Sequence, residues 1–309
     1  MKKKTFLVTG GSGFIGSNIS ELLVKKNYNV KIFDDNSRGS IKKISKFKKK
    51  IKFIKGDIRN KKSLYKALKN TDAVIHLAYV NGTKNFYKMP VKVLDIAVKG
   101  ILNVLEGCIK YKIKELYLAS SSEVYQTPET IPTKEEVILK IPNIYNPRYS
   151  YGGGKILTEL MGVHYGKKFF KKLIIFRPHN VYGERMGYDH VIPEMIKRFK
   201  SLKGRKFKIQ GSGNEIRSFI YIDDFIGAFN LILNKGKHLN IYNIGTGSKI
   251  KIKDLVFKIA RILNKKITIK KTPLTKGSTK IRVPNINKIK KLGFKPKFSL
   301  DMGLKKIIN

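Results

Sequence analysis

Tyr151 and Lys155 stand four residues apart in RYSYGGGK, with three glycines between them. On a helix this spacing puts phenol and ammonium on one face. A tyrosine ionises near pH 10, so acting as a base near neutrality requires lowering its pKa by roughly 3 units, about 4 kcal/mol. Nearby positive charges supply such a shift, and Lys155 is one. Glycine costs about 1 kcal/mol against alanine inside a helix. Three in a row would let this helix press against a cofactor or the sheet. A lysine-rich chain generates Tyr-x-x-x-Lys by accident, so the pair carries meaning only with partners. LASSSEVY (118–125) offers a hydroxyl partner at the C-terminal edge of a strand-like run, where open α/β sheets bind ligands.

A second constellation lies near the start. In TFLVTGGSGFIGSNISELL, Gly10, Gly13 and Gly16 follow a strand-like run, and a helix is expected to open at about Phe14. Glycines at this spacing let the backbone turn tightly and approach a pyrophosphate, and the helix N-terminus offers N–H donors to it. Phe14 and Ile15 belong to the same contact surface. A second strand ends 18 residues after Gly16 at Asp34, followed by Asp35. A carboxylate there accepts ribose hydroxyls and repels a 2′-phosphate, which favours NAD over NADP. Arg38 weakens that preference slightly. Asp57, followed by Ile58, ends a third strand and either accepts from an adenine amino group or caps the next helix. Leu77 and Ala78 end a fourth strand, with Tyr79 next, along the expected cofactor path, and His76 reads as structural. An oxidised nicotinamide ring is then the second positive charge near Tyr151.

The elements that must position these groups alternate. Strands are expected at 5–10, 30–34, 51–56, 73–78, 114–120 and 172–178, with helical stretches such as 91–111 between them. That order predicts an α/β fold with a parallel, doubly wound sheet. Beyond Phe176 the rhythm loosens into a smaller α/β lobe containing a helix near 251–264. The expected division is a dinucleotide-binding domain at 1–177 plus about 219–245, and a substrate-binding lobe at 178–218 plus 246–309.

Bulk properties bound the rest. The 309 residues can bury a sizeable core. Cys108 is the only cysteine, which excludes an internal disulfide and fits a reducing compartment. The apolar run in MKKKTFLVTGG is too short for a signal peptide, and no apolar stretch approaches a membrane span. A cytoplasmic protein is expected. The net charge of +45 attracts anions at low salt, but the lysines are spread along the whole chain. The five histidines show no ligand spacing with Cys108, so no metal is expected.

Taken together, TGGSGFIG, FDDNSRGS, KGDIRN, HLAY, SSSEVY, YGGGK, RPHNVYGER, GSGNEIRSFIYIDD and YNIGTG resemble the extended short-chain dehydrogenase/reductase family. The resemblance is to its NAD-dependent nucleotide-sugar epimerases, dehydratases and decarboxylases, and it spans nearly the whole chain. It implies a Rossmann-type doubly wound sheet, NAD as cofactor, and a nucleotide-diphosphate sugar as substrate. By position it makes Ser121 the catalytic serine, with Ser122 beside it, Tyr151 the acid–base and Lys155 its partner. Asn180, Arg217 and Arg282 match substrate-binding positions. Arg282 resembles an arginine that binds phosphate in epimerases and lies near the substrate carboxylate in decarboxylases. The family commonly dimerises through two helices per subunit, here 91–111 and 150–168.

The shared step is oxidation at sugar C4, after which the ketosugar is epimerised, dehydrated or decarboxylated. Glu123 is either a base at C5 or a turn-stabilising side chain. A UDP-glucose 4-epimerase-like activity is the leading expectation. A 4,6-dehydratase or UDP-glucuronate decarboxylase is the alternative, and an RNA-binding protein on the same scaffold a remote one. Tyr79, Ala97, Gln126 and His179 depart from the family pattern around the site.

Overall fold

The computed structural model describes residues 3–308. The first part of the chain reads β1 (Thr5–Thr9), α1 (Phe14–Lys25), β2 (Asn29–Asp34), a 3-10 segment (Ile41–Lys50), β3 (Ile51–Lys55), α2 (Lys61–Leu68) and β4 (Ala73–His76). It continues through α3 (Thr83–Lys88), α4 (Pro90–Lys110), β5 (Glu115–Ala119), α5 (Tyr149–Phe169) and β6 (Lys172–Pro178). The remainder is β7 (Val181–Tyr182), α6 (Val191–Lys200), β8 (Lys206–Gln210), β9 (Ile216–Arg217), β10 (Ile220–Tyr221), α7 (Ile222–Lys235) and β11 (Asn240–Ile244), then β12 (Ile250–Lys251), α8 (Ile252–Ile262), β13 (Thr268–Thr272), β14 (Ile281–Arg282), α9 (Asn287–Lys290) and α10 (Leu300–Ile308).

Seven strands form one sheet in the order β11-β6-β5-β4-β1-β2-β3, every neighbouring pair parallel. Alternate residues of each strand enter opposite cores. Phe6 and Val8 pack with Ile19 and Leu23 of α1 and Phe225 and Phe229 of α7. Leu7 packs on the other face with Leu64 and Leu68 of α2 and Val93, Ile101 and Leu105 of α4. Both faces are covered at the centre of the sheet, so β1, β4 and β5 read as near-continuous apolar runs, whereas β2 and β3 towards the edge carry Lys31, Lys52 and Lys55. Strand order reverses about β1, which lies between β2 and β4, and this opens a crevice at the carboxyl ends of those strands.

The expected strands overrun by one or two residues at Gly10, Gly56, Leu77, Ala78 and Ser120. Each of these leaves the sheet and lines the crevice. After β6 the chain builds short sheets from β7 with β10, β8 with β13, and β12-β9-β14. The α7–β11 passage returns between these pieces to the edge of the main sheet, with Tyr242 opposite Phe176. No helix among the described residues is long and apolar enough to cross a membrane.

Candidate active site

A cleft of about 380 Å³ runs along the carboxyl ends of the strands. Gly10, Gly13, Phe14, Ile15, Gly16, Asp34, Asp35, Asp57, Ile58, Leu77, Ala78, Tyr79, Tyr151 and Lys155 all line it. Ser121, Ser122, Glu123, Asn180 and Arg282 line it too, whereas Arg217 does not.

At one end, Gly10 has φ +70°, and a Cβ there would stand 2.7 Å from the Ala78 backbone nitrogen. Only glycine combines that conformation with that approach. Gly13 caps α1 without any side chain, and no acidic residue occupies the first turn. The positive helix end is therefore left open to the cleft, which fits a diphosphate. Asp34 is buried; its Oδ2 accepts from the Ser12 amide at 2.9 Å and its Oδ1 from the Asn36 amide at 2.8 Å. These bonds fix the glycine loop, and each oxygen keeps a lone pair for a hydroxyl. Asp35 closes its own turn by accepting from the Ser37 amide and hydroxyl. Asp57 does not cap α2: Asn60 does, accepting from the Ser63 amide. The Asp57 carboxylate pairs with Arg59, whose hydrogen bonds hold it below the usual carboxylate range.

At the other end, Ser121 caps the turn Ser122–Tyr125, its Oγ accepting from the Glu123 amide at 3.2 Å. Tyr151 lies in the first turn of α5, 5% exposed, stacked on Phe86 with ring centroids 4.6 Å apart. Burial pushes its phenol up to about 12; the Ser121 hydroxyl pulls the other way and Glu123 adds to the rise. This direction is opposite to the one expected from Lys155. The Lys155 ammonium donates to the Ala119 carbonyl at 2.7 Å and lies over the Tyr79 ring, 3.9 Å from its centroid. Tyr79 in turn meets Tyr151 edge-on at 5.1 Å. Burial brings Lys155 down to about 7. His76, beneath, bonds the Thr9 hydroxyl and is held near 3 by burial and by Lys155.

The glycine run now has a cause. A side chain at Gly154 would strike the Tyr79 hydroxyl and, at 2.7 Å, Ala97 Cβ; one at Gly152 would strike the Gln126 amide. The departures at Tyr79 and Gln126 are thus seated on the two outer faces of the helix that the glycines leave bare. Gly154→Ala is expected to cost about 1–3 kcal/mol by overpacking. Urea unfolding should show a smaller loss in a Tyr79→Phe background, which removes the struck atom. Equal losses in both backgrounds would contradict this account.

The sequence did not single out Arg148. It precedes α5, is 7% exposed, and its Nη2 lies 3.5 Å from Glu123 Oε2. Arg282, 6% exposed, grips the same carboxylate at 2.5 and 3.0 Å. Burial alone would raise the Glu123 pKa, but Arg282 and Arg148 outweigh it and hold the carboxyl at about 2. The Nε atoms of both arginines are buried without a partner. Arg217 donates to the carbonyls of Ile216, Thr279 and Lys280, and burial with Arg282 nearby brings it down to about 10. Asn180, at φ +40°, donates from Nδ2 to the Ser218 carbonyl at 2.8 Å. His179 is fully buried and meets Asn243 at 3.0 Å. His190, left unassigned from sequence, lines the cleft, and burial lowers it to about 4.

The arrangement joins an open helix N-terminus, a buried carboxylate, and a hydroxyl–phenol–ammonium set beside the buried Arg148 and Arg282. Comparison with known proteins places the chain in a family. The family model described as NAD dependent epimerase/dehydratase family matches residues 6–245. The chain is 34% identical over 308 residues to a putative UDP-glucose 4-epimerase of Methanocaldococcus jannaschii, covering 98% of this chain and 97% of that protein. It is 34% identical over 272 residues to a dTDP-D-glucose 4,6-dehydratase of Dictyostelium discoideum, covering 83% of this chain and 61% of that protein's length. The crystal structure of a Thermotoga maritima UDP-glucose 4-epimerase with UDP-glucose superposes with a TM-score of 0.89 at 28% identity, covering 98% and 97% of the two chains.

Proposed function

The chain belongs to the NAD dependent epimerase/dehydratase family, and from that premise we propose that it is a nucleotide-sugar 4-epimerase. The observation that carries this reading is the fixation of Glu123 between Arg282 and Arg148, with its carboxyl held at about 2. A 4,6-dehydratase needs a group that can donate a proton to a leaving hydroxyl at neutral pH. A carboxyl locked as its anion cannot, and one whose proton affinity is held that low is also a weak base for the C5 proton. A 4-epimerase needs only one hydroxyl proton removed and returned at C4, and Ser121, Tyr151 and Lys155 suffice for that.

In this reading Tyr151 takes the C4 hydroxyl proton and Ser121 orients the same oxygen. Lys155 supplies the positive charge that makes a phenolate accessible. NAD, when bound, supplies the acceptor and donor of the hydride. The glycine loop from Gly10 to Gly16 holds its diphosphate, Asp34 with Asp35 its ribose, and Asp57 with Ile58 its adenine end. Leu77, Ala78 and Tyr79 flank the nicotinamide path. Asn180 and Arg282 hold the substrate diphosphate, since guanidinium groups match phosphate oxygens in geometry and charge, and Arg217 joins them only by releasing the carbonyls of Ile216, Thr279 and Lys280. Residues 1–177 plus about 219–245 form the NAD domain, and 178–218 plus 246–309 the nucleotide-sugar lobe.

One observation favours a second reading. The unpartnered buried Nε atoms of Arg148 and Arg282 suit an additional anion on the sugar, as in a hexuronate decarboxylase. Incubation with a panel of neutral and uronate nucleotide sugars, read by mass and NMR, decides between them. Unchanged mass with inversion at C4 is expected. Loss of carbon dioxide from a uronate would install the second reading, and loss of water would overturn both.

We also propose a homodimer. Val91, Leu94 and Val98 are 78%, 43% and 43% exposed along one side of α4, and Leu160 on the neighbouring α5 is 55% exposed. This stripe at helical spacing fits a second copy of the same face. Sedimentation at micromolar concentration should give twice the chain mass, and a monomer there rules the dimer out.

A further inference from the structure

Beneath the cleft lies a buried polar chain that none of the roles assigned so far involves. Glu159 stands one helical turn after Lys155 on α5 and is 4% exposed. Arg177, on β6 and 1% exposed, donates from Nε to Glu159 Oε1 at 2.8 Å and from Nη2 to Oε2 at 2.5 Å. The Ser120 hydroxyl donates to Glu159 Oε1 as well. Arg177 Nη1 donates to the Tyr125 hydroxyl at 2.7 Å and to the Glu135 carbonyl at 2.8 Å. Tyr125 then donates to Asn243 Oδ1 on β11 at 2.7 Å.

A buried ion pair is a poor device for stability alone, because apolar residues of equal volume often do as well or better. The position of this one is informative. One oxygen of Glu159 holds the residue just before Ser121, while its helix carries both Tyr151 and Lys155.

We propose that Glu159, clamped by Arg177, is a positioning residue for proton transfer: it keeps the Lys155 ammonium charged in its buried place and fixes Ser120, and hence the aim of Ser121. The proposal rests on the roles given above to Tyr151 and Lys155. Lys155 is faced by Glu159 from its own helix, by His76 from β4, by the Tyr79 ring beyond it, and by the Ala119 carbonyl from β5. His76 is neutral, so Glu159 is the negative charge in that set. Burial draws Lys155 down to about 7, and Glu159 is the group that opposes it.

The test is the pH profile of kcat/KM on whichever nucleotide sugar the enzyme accepts. Loss of the Lys155 proton sets the alkaline limb, so Glu159→Gln should move that limb acidward by about one unit. Dissociation of NAD, followed by fluorescence titration, should change less than threefold. Glu159→Asp should restore the limb. A uniform fall in kcat with the limb unmoved overturns the proposal. If Glu159→Gln does not fold, the charge-free pair Glu159→Gln with Arg177→Met takes its place. A folded double variant with an unshifted limb is equally fatal. Undiminished turnover in Tyr151→Phe would instead sink the reading underneath, so the two failures are told apart.

Discussion

Tyr151→Phe should lower kcat by about a thousandfold, within the range a positioned acid–base contributes, and leave the fold intact. The phenyl ring keeps its stacking on Phe86 and its edge contact with Tyr79. Only the hydroxyl goes, and with it the group assigned to take a proton from a substrate alcohol. Turnover should collapse while urea midpoint and NAD titration stay near those of the parent. With the phenol at about 12, the residue is protonated at neutrality. Bringing it to pH 7 requires about 7 kcal/mol of electrostatic help. The help cannot act fully while the Lys155 ammonium is engaged by the Ala119 carbonyl and the Tyr79 face. Tyr79→Leu, which removes that face, should therefore alter the acid limb of the profile as well as its height. Full activity in Tyr151→Phe would leave the chemistry assigned to this site without a base.

The frame of the site could be read from the chain because parallel strands buried on both faces announce themselves. Runs such as TFLVT and LYLA have no charged face to offer, and they give way directly to Gly10 and Ser120. The crevice residues sit where those runs end, so strand ends and cleft positions were legible together. Contacts between distant segments were not. Nothing in RYSYGGGK names Tyr79 or Gln126 as the side chains that occupy the bare helix faces. Arg148 has no distinguishing spacing in a chain with 66 lysines and arginines. Glu159 and Arg177 lie on different elements and look like one more charge on a helix and one at a strand end. The surroundings of Lys155 were not legible for the same reason: spacing puts an ammonium on the right face, but does not show that an aromatic ring lies against it. Of the two roles open to Asp57, only the cap is excluded, since Asn60 takes it; the pairing with Arg59 was not legible.

The second large effect concerns Glu123. Its carboxyl falls from an ordinary value of 4.5 to about 2 in the fold. A depressed folded-state pKa contributes stability that is complete above the unfolded value and lost as pH falls through the folded one. The contribution is about 3 kcal/mol, and it should vanish between roughly pH 5 and pH 2. Glu123→Gln removes this dependence, so its stability should fall less steeply with acid than that of the parent. At pH 7 the variant should be less stable by about 3–5 kcal/mol, because Arg282 and Arg148 are left as buried cations without their counterion. The same loss should sharpen the site's appetite for anions. Inorganic pyrophosphate or a nucleoside diphosphate, added at fixed concentration, should raise the urea midpoint of Glu123→Gln more than that of the parent, since the ligand then takes over a carboxylate's place rather than competing with it. Parallel acid slopes for the two proteins, together with equal ligand stabilisation, would mean that Glu123 is not the counterion of this arginine pocket. Its carboxyl would then no longer separate an epimerase from a dehydratase.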